Sequence, residues 1–428
     1  MPFQDGASLV GYHDLDGRPA GKLAMQEAGG RWYLYVAHYW GDGTGWCIVD
    51  VTDPRAPRYV RWLPGPVNTE TFQLQVADGR MITGMEPILP MFGGDPNGPT
   101  PQKGMIIWDV SDPENPAEIG RWDSGAGGTH RNFYAGGRYV HVATALHGVD
   151  GSAYGVVDID DPEHPQLVGQ WWWPGQGPGE RFSDADLAKG HTGRPLKDVP
   201  AIWLHGGPYV ADGRAYCPWA RSGMVILDVE DVTAPELVSS LSFYPPLGSS
   251  IAAHTVVPIP ERRLAIVNSE ALHEHAQEPL AFAGIVDLSD ERDPILISLF
   301  PRPRPPEGYP VRDFAERGGR FGPHNQHQPQ GQPCLRRSDD LVFVAYFCAG
   351  LQVFDISNPR DPVIVASYIP DDPAERFGPH PKGELVTQME DVLVDSRGYV
   401  YMSEKNSGLY ILELDADVAD RHAGARVG

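Results

Sequence analysis

One motif recurs along this sequence at intervals that constrain the fold more than any other feature. In the copy GMIIWDVSDPENPAEIG, an apolar run precedes a turn rich in Asp and Pro, and a second apolar run follows the turn. Such a unit is typical of two strands joined by a tight turn. Full copies begin at Gly45, Gly104, Tyr154, Gly223, Ala283 and Gly350, and a shortened copy begins at Gly408. The acidic residues that end the apolar runs are 49 to 70 residues apart, and a β-rich repeat on this scale predicts a β-propeller.

Each copy is preceded by a further hairpin pattern, such as PYVADGRAYC, so each unit supplies the four strands that a propeller blade needs. We therefore predict an all-β chain that forms one domain over residues 1–428, a single seven-bladed β-propeller. The blades are expected near residues 24–65, 70–123, 130–173, 203–244, 252–300, 324–369 and 388–415. The last copy lacks its outer strand, and SLVGYHDL at residues 8–15 resembles the outer-strand segment QLVGQWWW. The N-terminal strand is thus expected to complete the last blade, which removes two exposed sheet edges.

The repeated pattern, in copies such as GLQVFDISNPRDPVIV, resembles the LVIVD repeat family of β-propellers. The resemblance extends over nearly the whole chain. It implies the fold, but it implies no activity, because function depends on the site that a fold carries.

Charge and composition limit the kinds of binding partner and the cellular location that we expect for this protein. The formal net charge of −23 argues against binding to nucleic acid or to anionic membrane surfaces. No apolar stretch of about 18 residues is present, so no membrane span is expected. The first ten residues, MPFQDGASLV, lack the basic and apolar regions of a signal peptide, and the four cysteines form no CxxC pair. A cytoplasmic protein with reduced thiols is the expectation.

Histidines recur where successive blades are expected to open toward the propeller axis. Blade three opens with His130, blade four with His205 and blade five with His254, while Glu390 takes this place in blade seven. In blade six, GPHNQHQ offers either His324 or His327. Neutral imidazoles that converge on an axis bind metal ions, and a carboxylate can complete the ligand shell. The pattern predicts a divalent transition metal, with iron favoured and manganese, copper or zinc as alternatives.

Loops on the same face are expected to form a substrate pocket around this metal. Its predicted lining is His38, Trp40, Phe72, Glu86, Trp203, Trp219, Arg221 and Tyr346. His147 and His273, together with Glu390, are the candidates for acid–base catalysis. Three long segments are expected to act as lids or binding loops, or as contacts in a homo-oligomer. They are Trp173–Trp203, Phe300–Gly322 and Asp371–Leu385.

Three functions fit these features. The leading hypothesis is a metal-dependent enzyme that acts on a small apolar or aromatic organic substrate by oxygenase-type chemistry. Carotenoid-cleaving oxygenases are similar in architecture, with four axial histidines on seven blades, although none of their sequence motifs is present. The second is a metal-dependent hydrolase or lyase, with Glu390 or His147 as base. The third is a non-catalytic propeller that binds a partner protein.

Overall fold

The computed structural model describes residues 2–40, 44–188, 202–244, 247, 249, 251–338 and 340–421. In this part of the chain, seven β-sheets lie one after another in the sequence, as expected for seven blades. The prediction of a seven-bladed β-propeller is confirmed.

The strands follow the predicted blade order. The chain opens with β1 (Phe3–Asp5) and β2 (Ala7–His13). Blade one contains β3 (Ala20–Ala28), β4 (Arg31–His38), β5 (Gly45–Asp50) and β6 (Arg58–Pro64). Blade two contains β7 (Thr69–Glu70), β8 (Leu74–Ala77), β9 (Arg80–Pro87), β10 (Gly104–Asp109) and β11 (Ala117–Asp123). Blade three contains β12 (Thr129–Phe133), β13 (Tyr139–Ala145), β14 (Ser152–Asp158) and β15 (Gln166–Trp171).

The remaining blades repeat this arrangement. Blade four contains β16 (Tyr209–Ala211), β17 (Arg214–Trp219), β18 (Gly223–Asp228) and β19 (Glu236–Leu241). Blade five contains β20 (Ile251–Ile259), β21 (Leu264–Glu270), β22 (Ala283–Asp287) and β23 (Ile295–Leu299). Blade six contains β24 (Leu341–Ala345), β25 (Leu351–Asp355) and β26 (Val363–Ile369), and blade seven contains β27 (Met389–Val394), β28 (Tyr399–Glu404) and β29 (Gly408–Leu414).

Helices are short and peripheral to this pattern. The α-helices are α1 (Asp184–Leu187) and α2 (Ala416–Arg421), and 3-10 turns occur at Leu15–Gly17, Pro90–Phe92, Pro260–Arg262 and Phe314–Glu316. No helix in the described residues has the length and apolar character needed to cross a membrane.

The repeated Asp residue acts as predicted for a turn former. Its carboxylate accepts the backbone N–H two residues later, at 3.0 Å from Thr52 to Asp50 and at 2.9 Å from Ser111 to Asp109. The register between the third and fourth strands shifts by a β-bulge in every blade, and in blades one to six this shift lies just before the turn. Because a bulge strengthens the local twist, the motif shapes the outer edge of each blade in the same way.

The N-terminal segment closes the ring. Strand β2 pairs antiparallel with β29, from Ala7 opposite Leu414 to His13 opposite Leu409, which confirms the predicted completion of the last blade. The structure adds a second pairing, because β1 extends blade six by lying against β26. Gly6 connects the two strands with φ 67°, and a Cβ there would lie 2.6 Å from the carbonyl oxygen of Val365. One segment therefore ties blades six and seven together.

Blade six differs on its inner side. Residues 324–327 take the inner position, but they contact β24 through a single bridge between Gln326 and Val344, supported by hydrogen bonds such as His324 N–H to the Ala345 carbonyl at 2.9 Å. The inner backbone of this blade is therefore less regular than that of its neighbours, which affects how its histidines are placed.

Candidate metal centre

Bulges in the inner strands turn the predicted residues toward the axis. In β12 the pairing passes from Thr129 to Arg131 and leaves His130 out of register. In β27 it passes in the same way over Glu390, and in β20 the register shifts across the segment that contains His254. A bulged residue is released from the regular alternation of the strand, so its side chain can be re-aimed.

Four histidines from consecutive blades form an arc at the end of the channel. Ring centroids are 4.6 Å apart for His130 and His205, 5.3 Å for His205 and His254, and 4.6 Å for His254 and His324. His254 and His324 are almost completely buried. Blade six thus contributes His324 and not His327 to the arc.

Hydrogen bonds at Nδ1 orient two of these rings. The Nδ1–H of His130 donates to Oε1 of Glu86 at 2.6 Å, and the Nδ1–H of His324 donates to the backbone carbonyl of Glu390 at 2.8 Å. In the neutral ring the lone pair is then on Nε2. The Nε2 atom of His130 is buried without a hydrogen-bond partner among the described residues, and a buried nitrogen of this kind is a candidate metal ligand.

A chain of donors fixes the tautomer of His254 as well. The Thr255 hydroxyl donates to the His324 carbonyl at 3.2 Å, so its oxygen accepts the Nδ1–H of His254 at 2.7 Å. Nε2 of His254 then carries the lone pair, and it accepts an N–H from Nη2 of Arg131 at 2.9 Å. Three of the four histidines therefore hold the same tautomer, with the lone pair on Nε2.

The carboxylate of Glu270 lies at the centre of the arc. Its Oε2 is 3.2 Å from Nε2 of His205 and 3.4 Å from Nε2 of His254, and its Oε1 is 3.6 Å from Nε2 of His324. Ligand atoms of His205, His254 and Glu270 all lie within 4.8 Å of one another. Glu270 ends β21, the second strand of blade five, and it is not among the residues predicted from the sequence to bind metal.

Burial keeps the histidines neutral. It lowers the pKa of His205 and of His324 to about 4, and lowers the pKa of His254 well below its ordinary value. Burial alone would raise the pKa of Glu270, but the adjoining histidines and Arg320 offset this and hold it well below its usual range. Near neutral pH the centre thus presents unprotonated imidazoles and an ionised carboxylate, the forms that bind metal ions.

Glu390, predicted as a fifth ligand or as a carboxylate that orients a ligand, lies beside the arc and not at its centre. Its carboxylate accepts hydrogen bonds from the hydroxyl of Tyr39 and from Nζ of Lys405, the latter at 2.8 Å. Burial would raise its pKa, but His324, Lys405 and Arg320 hold it at about 2. A carboxylate with this pKa is a poor general base. Its Oε1 lies 3.5 Å from Nδ1 of His324, so Glu390 can help to orient this ring, whereas Glu270 lies beside the Nε2 atoms.

Two arginines that the sequence analysis did not assign complete the centre. Arg320 donates to Oε1 of Glu270 at 2.9 Å and lies 4.0 Å from Oε2 of Glu390, so it links the two carboxylates. Arg131 follows His130 directly, and in a regular strand it would point to the opposite face. The bulge brings both side chains to the cavity, and no local sequence pattern predicts it.

A cavity of about 970 Å³ opens above the histidines. Four of the predicted pocket residues line it, Trp40, Phe72, Glu86 and Trp203, together with His273. The long segments also reach it, because Arg320, His380 and Lys382 belong to its wall. Part of the segment Trp173–Trp203 lies outside the described residues. The wall combines charged groups with aromatic rings, an arrangement that suits an organic ligand.

The other predicted pocket residues lie elsewhere. Trp219 and Tyr346 are buried in hydrophobic clusters between strands, and Arg221 is buried with its guanidinium 4.1 Å from the ring centroid of Tyr244. His38 is buried with Nδ1 3.1 Å from the Pro19 carbonyl. These four do not line the cavity, because their side chains are buried against neighbouring strands and loops.

Two further histidines are also separate from the centre. His147 is exposed and is not part of the cavity wall. His327 lines a smaller cavity of about 200 Å³ beside Tyr209 and Arg336. It accepts the Val394 N–H at Nδ1 and bonds the Arg336 carbonyl through Nε2 at 2.7 Å, which indicates a structural role.

Comparisons with a family model and with one solved structure support the architecture. The LVIVD repeat family matches residues 101–124 and 338–369. A search of curated proteins gave no match. Among solved structures, YCF48 bound to a D1 peptide is 8% identical with a TM-score of 0.50, and the alignment covers 96% of each chain. The computationally designed Ika8 protein is 9% identical with a TM-score of 0.48, over 96% of this chain and 99% of the other. At 8% identity the likeness to YCF48 concerns the fold alone. The chain contains LVIVD repeats and folds as a seven-bladed β-propeller.

Proposed function

We propose that this protein is a metal-dependent enzyme whose divalent transition metal is held at the propeller axis by His130, His205, His254 and His324 with Glu270. The observation that carries the proposal is the convergence of imidazole Nε2 atoms from consecutive blades around one carboxylate. Isolated buried histidines bond to backbone groups, as His327 does, and such histidines need no common focus.

The surroundings of the ligands support this assignment. Metal-binding histidines usually donate their second N–H to a carboxylate or a carbonyl, which fixes the ring. His130 has such a partner in Glu86, and His324 has one in the Glu390 carbonyl. Glu390 is itself held by Tyr39 and Lys405. The ligands are therefore oriented by a second layer of polar groups.

The donor set favours oxidative chemistry on a small apolar or aromatic substrate. Imidazoles with one carboxylate suit iron, and also manganese, copper or zinc. The cavity of about 970 Å³ gives a substrate access to the metal, and its aromatic wall suits an apolar body. Metal-assisted hydrolysis or elimination is the alternative chemistry at the same centre. Loss of turnover on removal of oxygen would assign the reaction to the oxidative class, whereas turnover without oxygen would assign it to the alternative.

Metal analysis tests the proposal directly. The protein is purified without a histidine tag and without chelators, and its iron, manganese, copper and zinc contents are measured. The comparison includes His254→Ala in the arc and His147→Ala as a matched control, since His147 is exposed and outside the cavity. We expect about one metal ion per chain in the parent and the control, and a loss of most of it in His254→Ala.

Two outcomes count against the proposal. If the parent protein neither contains metal nor takes it up after chelation, the centre is not a metal site, and the non-catalytic reading, in which the propeller binds a partner protein, gains support. If His254→Ala retains all the metal, the ion is bound elsewhere. The cytoplasmic location, the lack of nucleic-acid or membrane binding, and a homo-oligomer through the long segments stay predictions from the sequence.

A further inference from the structure

Arg131 differs from the other buried cations of the cavity. Arg320 is paired with Glu270 and Glu390, and Lys405 is paired with Glu390. Arg131 is 7% exposed, and among the described residues it makes no ion pair. Its Nη1 donates to Oδ1 of Asn325 at 3.1 Å, its Nη2 donates to His254 at 2.9 Å, and its Nε is buried without a partner.

A buried guanidinium without a counter-ion is costly, so its presence calls for an anion. The planar group offers parallel N–H donors that match the two oxygens of a carboxylate. We propose that Arg131 binds the carboxylate of an amphipathic organic acid, which is the substrate class of this cavity. As a substrate assignment this rests on the proposed function, although the binding itself can be measured without metal.

The wall of the cavity indicates the rest of the ligand. Trp40, Phe72, Phe92 and Trp203 line it with Met91, and the side chain of Met91 is half exposed at the rim. Phe72 also packs edge-on against His130, with the centroids 5.7 Å apart. The volume of about 970 Å³ is at the upper end of the range for organic ligands. An acid with an aromatic or other bulky apolar body fits this surface better than a small acid such as acetate.

Metal and acid would bind at neighbouring positions. The lone pair on Nε2 of His254 accepts the Arg131 N–H, and the same lone pair is needed to ligate a metal. A metal ion at His254 therefore removes an acceptor from Arg131 and leaves another donor unpaired. A carboxylate that takes this donor would place the acid beside the metal, so the two ligands should bind with positive coupling.

The probe is 1-naphthaleneacetate, compared with its neutral isostere 1-naphthaleneacetamide by titration calorimetry. Binding is measured in chelator-treated protein and again after zinc is added. The variants are Arg131→Gln and Arg131→Lys, and the control is Arg292→Gln, which removes an exposed cation outside the cavity. We expect the parent to prefer the acid by about 10- to 100-fold, as for a charge-assisted hydrogen-bonded pair. Arg131→Gln should remove this preference, Arg131→Lys should keep part of it, and Arg292→Gln should leave it within about twofold.

Urea unfolding of each variant shows whether it is folded, and metal content is measured on the same samples. Equal affinities for the acid and the amide in the parent, no binding of either probe, or an acid preference that survives in Arg131→Gln would each overturn the inference. A protein that binds the acid through Arg131 but takes up no metal would refute the proposed function alone. If the protein binds metal but its preference for the acid is the same in Arg131→Gln as in the parent, this inference alone is refuted.

Discussion

Replacing Glu270 by Gln tests the centre most sharply, because it removes one charge and almost no volume. Glu270 lies 2.9 Å from Arg320, and at an effective dielectric constant of about 20 two unit charges at this distance attract by ~6 kcal/mol. Part of this is offset, since the variant no longer desolvates a carboxylate. Arg320 also keeps Glu390 at 4.0 Å and is itself partly exposed. Removal of one partner from a buried ion pair costs about 3 to 5 kcal/mol, so we expect about 3 kcal/mol for metal-free Glu270→Gln.

Metal binding should be affected in addition. A loss of about 100-fold in affinity corresponds to ~3 kcal/mol less stabilisation by saturating metal. The assay is urea unfolding followed by tryptophan fluorescence, with chelator-treated protein and with added zinc. Glu278→Gln is the matched control, because Glu278 accepts N–H groups of Leu272 and His273 in the same connection and is not part of the cavity wall.

The reasoning is refuted if Glu270→Gln unfolds at the same urea concentration as the parent in the absence of metal, and gains as much stability from zinc. That result would mean that Glu270 is neither the counter-ion of Arg320 nor a ligand. If Glu270→Gln is less stable but gains as much stability from zinc as the parent does, Glu270 is the counter-ion of Arg320 but not a metal ligand.

Three further predictions concern the scaffold. Lys22→Met should lower the free energy of unfolding by about 3 to 5 kcal/mol, because it leaves Asp391 buried without its partner at 3.1 Å. Urea unfolding should show that adding Asp391→Asn restores much of the lost stability. A double variant as unstable as Lys22→Met would contradict this prediction. Burial lowers the pKa of His327 from 6.5 to about 4. The contribution of its neutral ring to the free energy of unfolding is therefore complete above pH 6.5 and is lost as the pH falls toward 4. The parent should therefore lose up to ~3 kcal/mol more than His327→Gln between pH 7 and pH 4, and equal losses would exclude this role. Gly104→Ala should cost about 1 to 3 kcal/mol, since Gly104 has φ 112° and a Cβ would lie 2.0 Å from the Trp122 carbonyl oxygen; an unchanged melting temperature would refute this.

The architecture follows from local features that the sequence carries in six full copies and one shortened copy. In the full copies, the Asp that ends the third strand bonds the N–H two residues later, as at Asp50 and Asp109, and the glycine that opens most copies has a positive φ, as at Gly104. Both effects act within a few residues, so they can be recognised without knowledge of tertiary contacts. The missing outer strand of the last copy likewise predicted the pairing of β2 with β29.

The positions of three histidines could also be predicted from the sequence, because His130, His205 and His254 occupy equivalent positions in consecutive repeat units. The two candidates in blade six could not be separated by sequence, since the inner backbone there forms only one bridge, at Gln326. Tertiary structure decides that His324 joins the arc and that His327 bonds the backbone at the smaller cavity.

The charged groups of the centre were decided by tertiary structure alone. Glu270 and Arg320 come from segments 50 residues apart, and Arg131 reaches the cavity through a bulge that breaks the alternation of β12. Repeated short-range interactions specify the blades, and the closing of the ring then determines which side chains meet at its axis. The short-range interactions can be recognised directly in the sequence. The set of side chains at the axis depends on backbone irregularities and long-range contacts that appear only in the folded chain.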